Sequence, residues 1–196
     1  MQRAHWGLAL IVVSVLSAPA SAAVWGVGSN LGMNVLLPDT KSEKNALTVS
    51  WSGSPTYFMP GLRFAVRGEE AQSTWYLDSG FQLVNQGSFG QSSFQGTLNY
   101  MRAFGSERGV APFVTVGGGF ATRMIKNQGP GGQSVNPVSG VYGGGLGVRK
   151  SVAKGAGSLR AEVRYDHVTE GKDLGFVLIP AGGVVGLQLG FDLWFR

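Results

Sequence analysis

The sequence predicts an all-β protein, a closed antiparallel transmembrane β-barrel of eight strands, with ten strands as the alternative. Three observations predict this fold. The chain of 196 residues starts with an export signal, its later segments alternate apolar and polar residues, and no later apolar run has the length of a membrane helix. An exported chain of this kind spans a bilayer only as a closed barrel, because hydrocarbon offers no water to pair the backbone groups.

Residues 1–22 are predicted to be a secretory signal peptide. Arg3 supplies a positive charge, Gly7–Leu16 is almost entirely apolar, and Ala20–Ala22 fits the small-x-small cleavage pattern. The apolar stretch is shorter than the roughly 20 residues that a membrane helix requires. We therefore expect cleavage between Ala22 and Ala23, which leaves residues 23–196 as a single barrel domain.

The composition excludes several classes of function. The chain has no cysteine, so it forms no disulfide and performs no thiol chemistry. Its two histidines are His5, inside the predicted signal peptide, and His167, which is too few imidazoles for a zinc or copper site. The net charge of +5 is scattered along the chain and gives no nucleic-acid footprint. No metal and no other cofactor is predicted.

Candidate strands follow one another between stretches rich in turn-forming residues, a spacing typical of a barrel or sandwich. There are nine such segments: 24–36, 45–52, 61–68, 74–84, 91–104, 112–125, 138–152, 158–168 and 184–195. A single-chain bacterial barrel needs an even number of strands. Either one early segment is not a full strand, which gives eight, or Leu174–Ile179 is a tenth. Eight is the prediction, because the chain length is that of a small barrel.

The clearest alternation lies in two segments near the end of the chain. From Leu159 to Asp166, leucine, alanine, valine and tyrosine share one face, and four charges of alternating sign share the other. From Val185 to Phe195, six apolar residues form one face. That last segment has about the 9–11 residues that a tilted strand needs to cross a bilayer.

Two candidate strands contain glycine clusters, Gly117–Gly119 and Gly143–Gly145. Glycine within a strand marks a bend or a close approach of two chains, and small closed barrels require both. Neither cluster is followed by a helical pattern or by Gly-Lys-Ser/Thr, so a phosphate-binding loop is a poor interpretation.

A soluble β-sandwich also alternates apolar and polar residues, and the pattern alone does not tell inside from outside. The length of the last apolar face and the opposite charges on the minority face favour the membrane barrel. Aromatic residues near segment ends fit the two aromatic girdles of such barrels. They are Trp25, Trp51, Trp75, Tyr100, Phe104, Trp194 and Phe195.

In a barrel of eight strands side chains fill the interior, and the charged faces of the strands point into this lumen. The predicted lumenal charge network consists of Arg63, Arg67, Asp78, Arg160, Glu162, Arg164, Asp166 and Asp192. Buried charges persist only when they are paired. We therefore expect this network to stabilise the barrel rather than to transport a solute.

Four segments carry a resemblance to a known family: Asn99–Phe104, Pro112–Phe120, the glycine-rich strand from Val141, and Gly190–Phe195. They resemble the small outer-membrane β-barrel domains of Gram-negative bacteria, with an OmpA/OmpX-like architecture. The resemblance implies an outer-membrane location, contact with outer-membrane lipid and lipopolysaccharide, and insertion by the barrel assembly machinery. It also implies that Phe195 is the assembly signal, one residue from the end of the chain. An extracellular ligand is left open.

One short segment suggests chemistry. His167-Val-Thr169 is similar to the His-x-Ser segment of outer-membrane lipid A 3-O-deacylases, in which histidine is the base and serine attacks an acyl ester. Here threonine replaces serine, Glu170 stands where that family carries asparagine, and Ala181 stands where an acid would fall. A base without an orienting third group is weak support for catalysis. The prediction is therefore a histidine at the barrel rim and no catalytic residue.

The predicted function is that of an integral outer-membrane barrel with a structural or surface-interaction role, a side-chain-filled lumen and no catalysis. Loops such as Asn127–Pro137 and Thr169–Gly183 are available for binding, since function on a rigid scaffold usually lies in its loops. Two alternatives remain. One is an acyl hydrolase that uses His167 and Thr169, and the other is a conduit for small apolar solutes with a partly open lumen.

Overall fold

The computed structural model describes residues 23–38, 46–50, 61–68, 72–86, 89–105, 109–127, 134–174, 176–179 and 181–195. The predicted signal peptide, Trp51 and the terminal Arg196 lie outside this part of the chain. Within it, no helix combines the length and the apolar character needed to cross a membrane.

The described residues form twelve strands and one short 3-10 turn. The strands are β1 (Val24–Pro38), β2 (Ala46–Ser50), β3 (Gly61–Arg67), β4 (Ser73–Gln86), β5 (Phe89–Ala103), β6 (Val110–Asn127), β7 (Ser134–Val135), β8 (Val138–Val152), β9 (Gly157–Val168), β10 (Gly171–Asp173), β11 (Phe176–Ile179) and β12 (Gly182–Phe195). The turn, Ala153–Gly155, joins β8 to β9.

Eight strand positions close into an antiparallel barrel in the order β1, β3, β4, β5, β6, β8, β9, β12. The last strand pairs back onto the first along its whole length, from Trp25 opposite Phe195 to Pro38 opposite Gly182. β2 and β3 pair with different halves of β1 and together occupy one strand position. The nine candidate segments therefore give eight barrel strands, and the eight-strand prediction is confirmed.

The ten-strand alternative is wrong. The segment that would have supplied the tenth strand, Leu174–Ile179, contains β11, which pairs only with β10 in a separate two-stranded sheet. β9 and β12 already pair directly, starting from Val168 opposite Gly182, so the chain between them is excluded from the barrel wall. This β10–β11 hairpin instead buries Ile179 at the end of the lumen.

The barrel is apolar outside and charged inside. On β12, Leu189 is 53% exposed, whereas on the paired strand Glu162 is 2% exposed and Arg160 is 5% exposed. A soluble sandwich would bury the leucine and expose the charges. An apolar outer wall suits lipid hydrocarbon, so this distribution is that of a transmembrane barrel.

The two ends of the barrel differ. One end, here called the turn end, carries the connections 68–72, 104–109 and 153–156, together with the first residues of β1 and the last residues of β12. The other end, the loop end, carries the longer connections 128–137 and 169–181. In bacterial barrels short turns face the periplasm and longer loops face the outside.

Aromatic side chains surround the turn end, as the sequence predicts. Trp25, Phe104 and Phe195 are exposed on the outer wall, and the rings of Trp75 and Tyr100 are 4.9 Å apart. Trp194 does not belong to this girdle. Its position alternates with that of Phe195, so its side chain faces the lumen, where it is buried and Nε1 donates a hydrogen bond to Ser158 Oγ at 3.3 Å.

Candidate functional site

The lumen contains most of the predicted charged residues, arranged as hydrogen-bonded pairs. Arg63 on β3 and Asp78 on β4 face each other across the strand pair. The guanidinium binds the carboxylate through two bonds, Nε to Oδ1 at 2.6 Å and a terminal nitrogen to Oδ2 at 2.7 Å. The same guanidinium lies 3.7 Å from the centre of the Tyr76 ring. Arg63 is thus held both by a bidentate pair and by a cation–π contact.

A second pair joins the last two strands of the barrel. Arg160 Nε on β9 donates to Asp192 Oδ2 on β12 at 2.8 Å. A terminal nitrogen of the same guanidinium donates to Asn30 Oδ1 on β1 at 2.8 Å. Ser158 Oγ also donates to Asp192 Oδ2, at 3.0 Å. This pair therefore connects β9, β12 and β1 at the closure of the barrel.

The third group centres on Arg164. Its Nε donates to both carboxylate oxygens of Asp166, at 2.9 and 2.7 Å, and a terminal nitrogen donates to Asn99 Oδ1 at 2.9 Å. Its other terminal nitrogen lies 3.7 Å from Glu162 Oε1. The hydroxyl of Thr115 donates to the same Glu162 oxygen. One arginine thus pairs with two acids on its own strand.

Uncharged side chains link these groups into one network. Asn99 Nδ2 lies 3.5 Å from Asp78 Oδ2, which joins the Arg164 group to the Arg63 pair. The Arg160 guanidinium lies 5.9 Å from the centre of the Tyr76 ring, on which Arg63 also packs. The network predicted from the sequence did not include Asn99 or Tyr76. Both lie on the polar phase of their strands, so alternation was the signal that could have found them.

Arg67 is separate from these three groups. Its guanidinium lies 4.3 Å from the centre of the Trp194 ring, and a terminal nitrogen donates to the carbonyl oxygen of Gly155 at 3.2 Å. It belongs to the turn end of the lumen rather than to its middle.

Wall glycines make room for the polar side chains of the network. In the strand register five inward-facing polar residues lie opposite a glycine: Asp192 opposite Gly28, Asp166 opposite Gly143, Asn99 opposite Gly117, Asn34 opposite Gly186, and Asn30 opposite Gly190. A Cβ atom built on any of these glycines would collide with the side chain opposite it. The glycine clusters thus mark close approaches, as the sequence predicts, and Gly117 and Gly143 each make room for one polar side chain.

Two layers of buried apolar side chains lie above and below the network. The layer at the turn end consists of Val24, Ala65, Tyr76, Met101, Ala103, Ala111, Phe113 and Trp194. The layer at the loop end consists of Ala121, Val141, Val168, Ile179 and Val184. Four of the five loop-end residues belong to barrel strands, and Ile179 comes from the β10–β11 hairpin that folds over this end. The ion pairs therefore lie between two apolar clusters, and Arg67 packs on Trp194 of the cluster at the turn end.

His167 and Thr169 lie at the loop end of β9 and do different things. His167 points to the outer wall, half-buried, with its ring 5.2 Å from that of Tyr142 on β8. Thr169 Oγ1 accepts the Gly140 N–H at 2.8 Å, and Thr169 N–H donates to the Gly140 carbonyl at 2.8 Å. No hydrogen bond joins the histidine to the threonine, or to a carboxylate, among the described residues. Nearby Glu170 pairs with Lys172 at 2.6 Å.

Other chemical sites are sparse. The described residues contain no cluster of three His, Cys, Asp or Glu side chains that could hold a metal ion. A cavity of about 240 Å³ lies against the apolar outer wall, lined by side chains that include Leu31, Leu159, Leu189 and Phe191. Phe195, the predicted assembly signal, is exposed on the outer wall and pairs with Trp25 across the closure of the barrel.

Solved structures resemble this fold. Neisserial surface protein A aligns over 87% of this chain and 97% of its own, with 13% identity and a TM-score of 0.59. The attachment invasion locus protein Ail of Yersinia pestis, in complex with sucrose octasulfate, aligns over 89% and 99%, with 12% identity and a TM-score of 0.49.

The outer membrane enzyme PagL aligns over 84% of this chain and 98% of its own, with 17% identity. Its TM-score of 0.34 is too low to support a shared function or a shared site. No protein-family model and no curated protein sequence matches the chain, so nothing among the comparisons supports the finer OmpA/OmpX-like resemblance. What the similarity to Neisserial surface protein A establishes is the fold, a closed antiparallel β-barrel of eight strands.

Proposed function

We propose that this protein is an integral outer-membrane β-barrel with a side-chain-filled lumen and a structural or surface-interaction role, without catalysis. The observation that carries the proposal is the ion-pair network enclosed between two apolar layers. A barrel used as a channel needs a continuous polar path from end to end. Here the charged side chains of the network form ion pairs with one another, and a cluster of buried apolar side chains lies toward each end, with Arg67 beside the one at the turn end.

The outer-membrane location is supported by the reversed polarity of the barrel and by the predicted signal peptide, residues 1–22. A barrel that is apolar outside and pairs its last strand with its first satisfies backbone groups within its own wall, as hydrocarbon requires. Closed barrels of this type, with short turns at one end and longer loops at the other, are typical of bacterial outer membranes. The turn end then faces the periplasm and the loop end faces the outside.

The filled lumen is supported by the burial of its charges. The side chains of Arg160 and Asp192 are only 2% and 4% exposed, and those of Arg164 and Asp166 are 7% and 4% exposed. Breaking one buried ion pair costs about 3–5 kcal/mol, because the remaining charge has no partner. A passing ion or polar solute would have to disturb several such pairs, so transport through this lumen is disfavoured.

A surface-interaction role is supported by the contacts that attach the β10–β11 hairpin to the barrel. Asn136 N–H donates to Asp173 Oδ2 at 2.5 Å, which ties the β10–β11 hairpin to the connection before β8. Thr122 Oγ1 donates to Asn136 Oδ1 at 2.6 Å, which fixes the same connection to β6. Together with the buried Ile179, these contacts hold the hairpin in place on the barrel. A hairpin fixed to a rigid scaffold suits the binding of an external partner.

The hydrolase alternative has less support. A threonine nucleophile needs a base within hydrogen-bond reach and a third group that orients the base. Thr169 Oγ1 instead accepts a backbone N–H from Gly140, and the neighbour of the His167 ring is Tyr142. We infer that Thr169 fixes the first residues of β8 through its bonds to Gly140, and that His167 packs against Tyr142 at the membrane interface.

The test begins with the mature chain refolded in detergent. The proposal predicts a heat-modifiable band in gel electrophoresis, a strand-dominated circular dichroism spectrum, no channel conductance in planar bilayers and no uptake of apolar solutes by vesicles. Conductance or uptake would overturn the filled lumen in favour of a conduit. Incubation with lipid A, with His167→Ala as the matched variant, tests catalysis. Deacylation that is lost in the variant would establish the hydrolase alternative.

A further inference from the structure

One arginine faces the lipid instead of the lumen. Arg102 is exposed on the outer wall of β5, near the turn end, between Tyr100 and Phe104 on the same face. Its direct neighbours across the sheet are Ser73 on β4 and Val114 on β6. A guanidinium among aromatic and apolar lipid-facing residues is costly in hydrocarbon, and its position at the end of the barrel places it at the membrane interface.

The guanidinium is held in place, and no side chain in the described part of the structure neutralises its charge. One terminal nitrogen donates to Ser73 Oγ at 2.6 Å, and the other donates to Gln72 Oε1 at 3.1 Å. Both acceptors are uncharged, and no described carboxylate pairs with Arg102. A guanidinium has five N–H donors, so about three remain for another acceptor. The charge and the open donors together call for an anion at this point.

Aromatic rings fix the surroundings of the guanidinium. Ser73 Oγ, which accepts from Arg102, also lies 3.0 Å from the Tyr100 hydroxyl. The Tyr100 ring in turn packs against Trp75 at 4.9 Å. Trp and Tyr at this depth lie at the headgroup level of a bilayer. The arginine is therefore fixed by Ser73 and Gln72 at the level where lipid phosphates lie.

We propose that Arg102 is the centre of a binding site for the phosphate of an anionic phospholipid in the periplasmic leaflet. Its planar fork fits two phosphate oxygens at once, which a lysine cannot do. The site lies at the turn end, so it meets the periplasmic leaflet when the barrel has the orientation given under Proposed function. The phosphates of lipid A lie at the opposite membrane surface and do not reach it.

The test measures lipid retention by native mass spectrometry of the mature chain in detergent, with phosphatidylglycerol or phosphatidylcholine added. The variant is Arg102→Gln, and the matched control is Lys150→Gln. Lys150 is also exposed at the turn end, on β8, but no hydrogen bond fixes its ammonium group to a neighbouring side chain in the described residues. We expect Arg102→Gln to reduce phosphatidylglycerol retention about fivefold, and Lys150→Gln to change it less than about twofold.

Several results would overturn the proposal. Equal retention by the wild type and Arg102→Gln would do so, and so would an equal loss in Lys150→Gln, since that indicates diffuse charge attraction. Equal retention of phosphatidylglycerol and phosphatidylcholine by the wild type would refute the preference for an anionic lipid. Should Arg102→Gln fail to fold, Arg102→Lys keeps the charge but not the fork, and undiminished retention by it would refute the site. None of these outcomes alters the gel mobility and conductance on which the proposed function depends.

Discussion

Replacing Asp192 with asparagine is expected to lower the free energy of unfolding by about 3–5 kcal/mol, the typical cost of breaking a buried ion pair. The substitution preserves the shape of the side chain and replaces the charged carboxylate with a neutral amide. The Oδ2 atom accepts from Arg160 Nε at 2.8 Å and from Ser158 Oγ at 3.0 Å. An amide NH₂ group at this position would face both donors with donors of its own.

The size of the expected loss of stability follows from the partners that Arg160 keeps in the variant. Its side chain is 2% exposed, so water does not replace the lost carboxylate. The remaining partners are Asn30 Oδ1 at 2.8 Å and the Tyr76 ring at 5.9 Å, neither of which carries a negative charge. A buried cation left with neutral partners is the case in which the loss reaches the full cost. The double variant Asp192→Asn with Arg160→Met should recover part of it, because the stranded charge is removed.

The assay is reversible urea unfolding of the refolded barrel in lipid vesicles, followed by tryptophan fluorescence and by the heat-modifiable band. With a slope of about 2 kcal/mol per molar urea, the unfolding midpoint should fall by about 1.5–2.5 M. The control is Lys172→Gln, which breaks the exposed pair with Glu170 and should leave the midpoint unchanged. A change below about 1 kcal/mol in Asp192→Asn would show that water reaches the pair, and the reasoning for a filled lumen would fail.

Three further predictions use the same urea titration. Gly143→Ala should destabilise the barrel by about 1–3 kcal/mol, because the added methyl group meets the Asp166 side chain and the neighbouring backbone. The control Gly68→Ala, with open space around it, should change the stability by no more than about 0.5 kcal/mol, and equal effects of the two variants would refute the close approach at Gly143. Lys154 has a φ of 55°, in the left-handed region, so Lys154→Gly should stabilise the barrel by about 0.5–1 kcal/mol, and destabilisation would contradict this strain. Ile179→Ala should cost about 2–5 kcal/mol and speed amide exchange in the β10–β11 hairpin, and unchanged exchange would show that the hairpin does not depend on this contact.

The fold could be predicted from alternation because a barrel strand has only two faces. Leu159 and Arg160 are neighbours in sequence, yet one is 53% exposed and the other 5% exposed, as a period of two requires. The face that points outward was harder to predict, since the alternation alone does not distinguish the inside from the outside. The export signal, the length of the last apolar face and the opposite charges on the other face supplied that direction, and the exposure of Leu159 agrees with it.

The contacts between the charged side chains in the lumen could not be predicted to the same degree. Strand order and register decide which charges meet, and both depend on pairing across the sheet. Arg63 and Asp78 are 15 residues apart and pair because β3 and β4 form a hairpin, whereas Arg160 reaches Asn30 across a separation of 130 residues. Nothing local in the sequence marks the second contact. Trp194 is a different case, since its position near a segment end suggested the girdle, whereas the strand phase that the sequence already shows places it inside.

In this lumen the positions of the glycines and of the charged side chains depend on each other. A barrel of eight strands has an interior just wide enough for side chains, so a carboxylate or amide that lies along the wall needs a neighbouring position without a Cβ atom. Gly28 provides that position for Asp192, and Gly143 provides it for Asp166. Truncating one of these acids would not open a passage, because it leaves an arginine without its partner in a space closed at both ends. We therefore propose that the interior contributes stability and that recognition belongs to the outer surfaces, namely the hairpin at the loop end and the rim around Arg102.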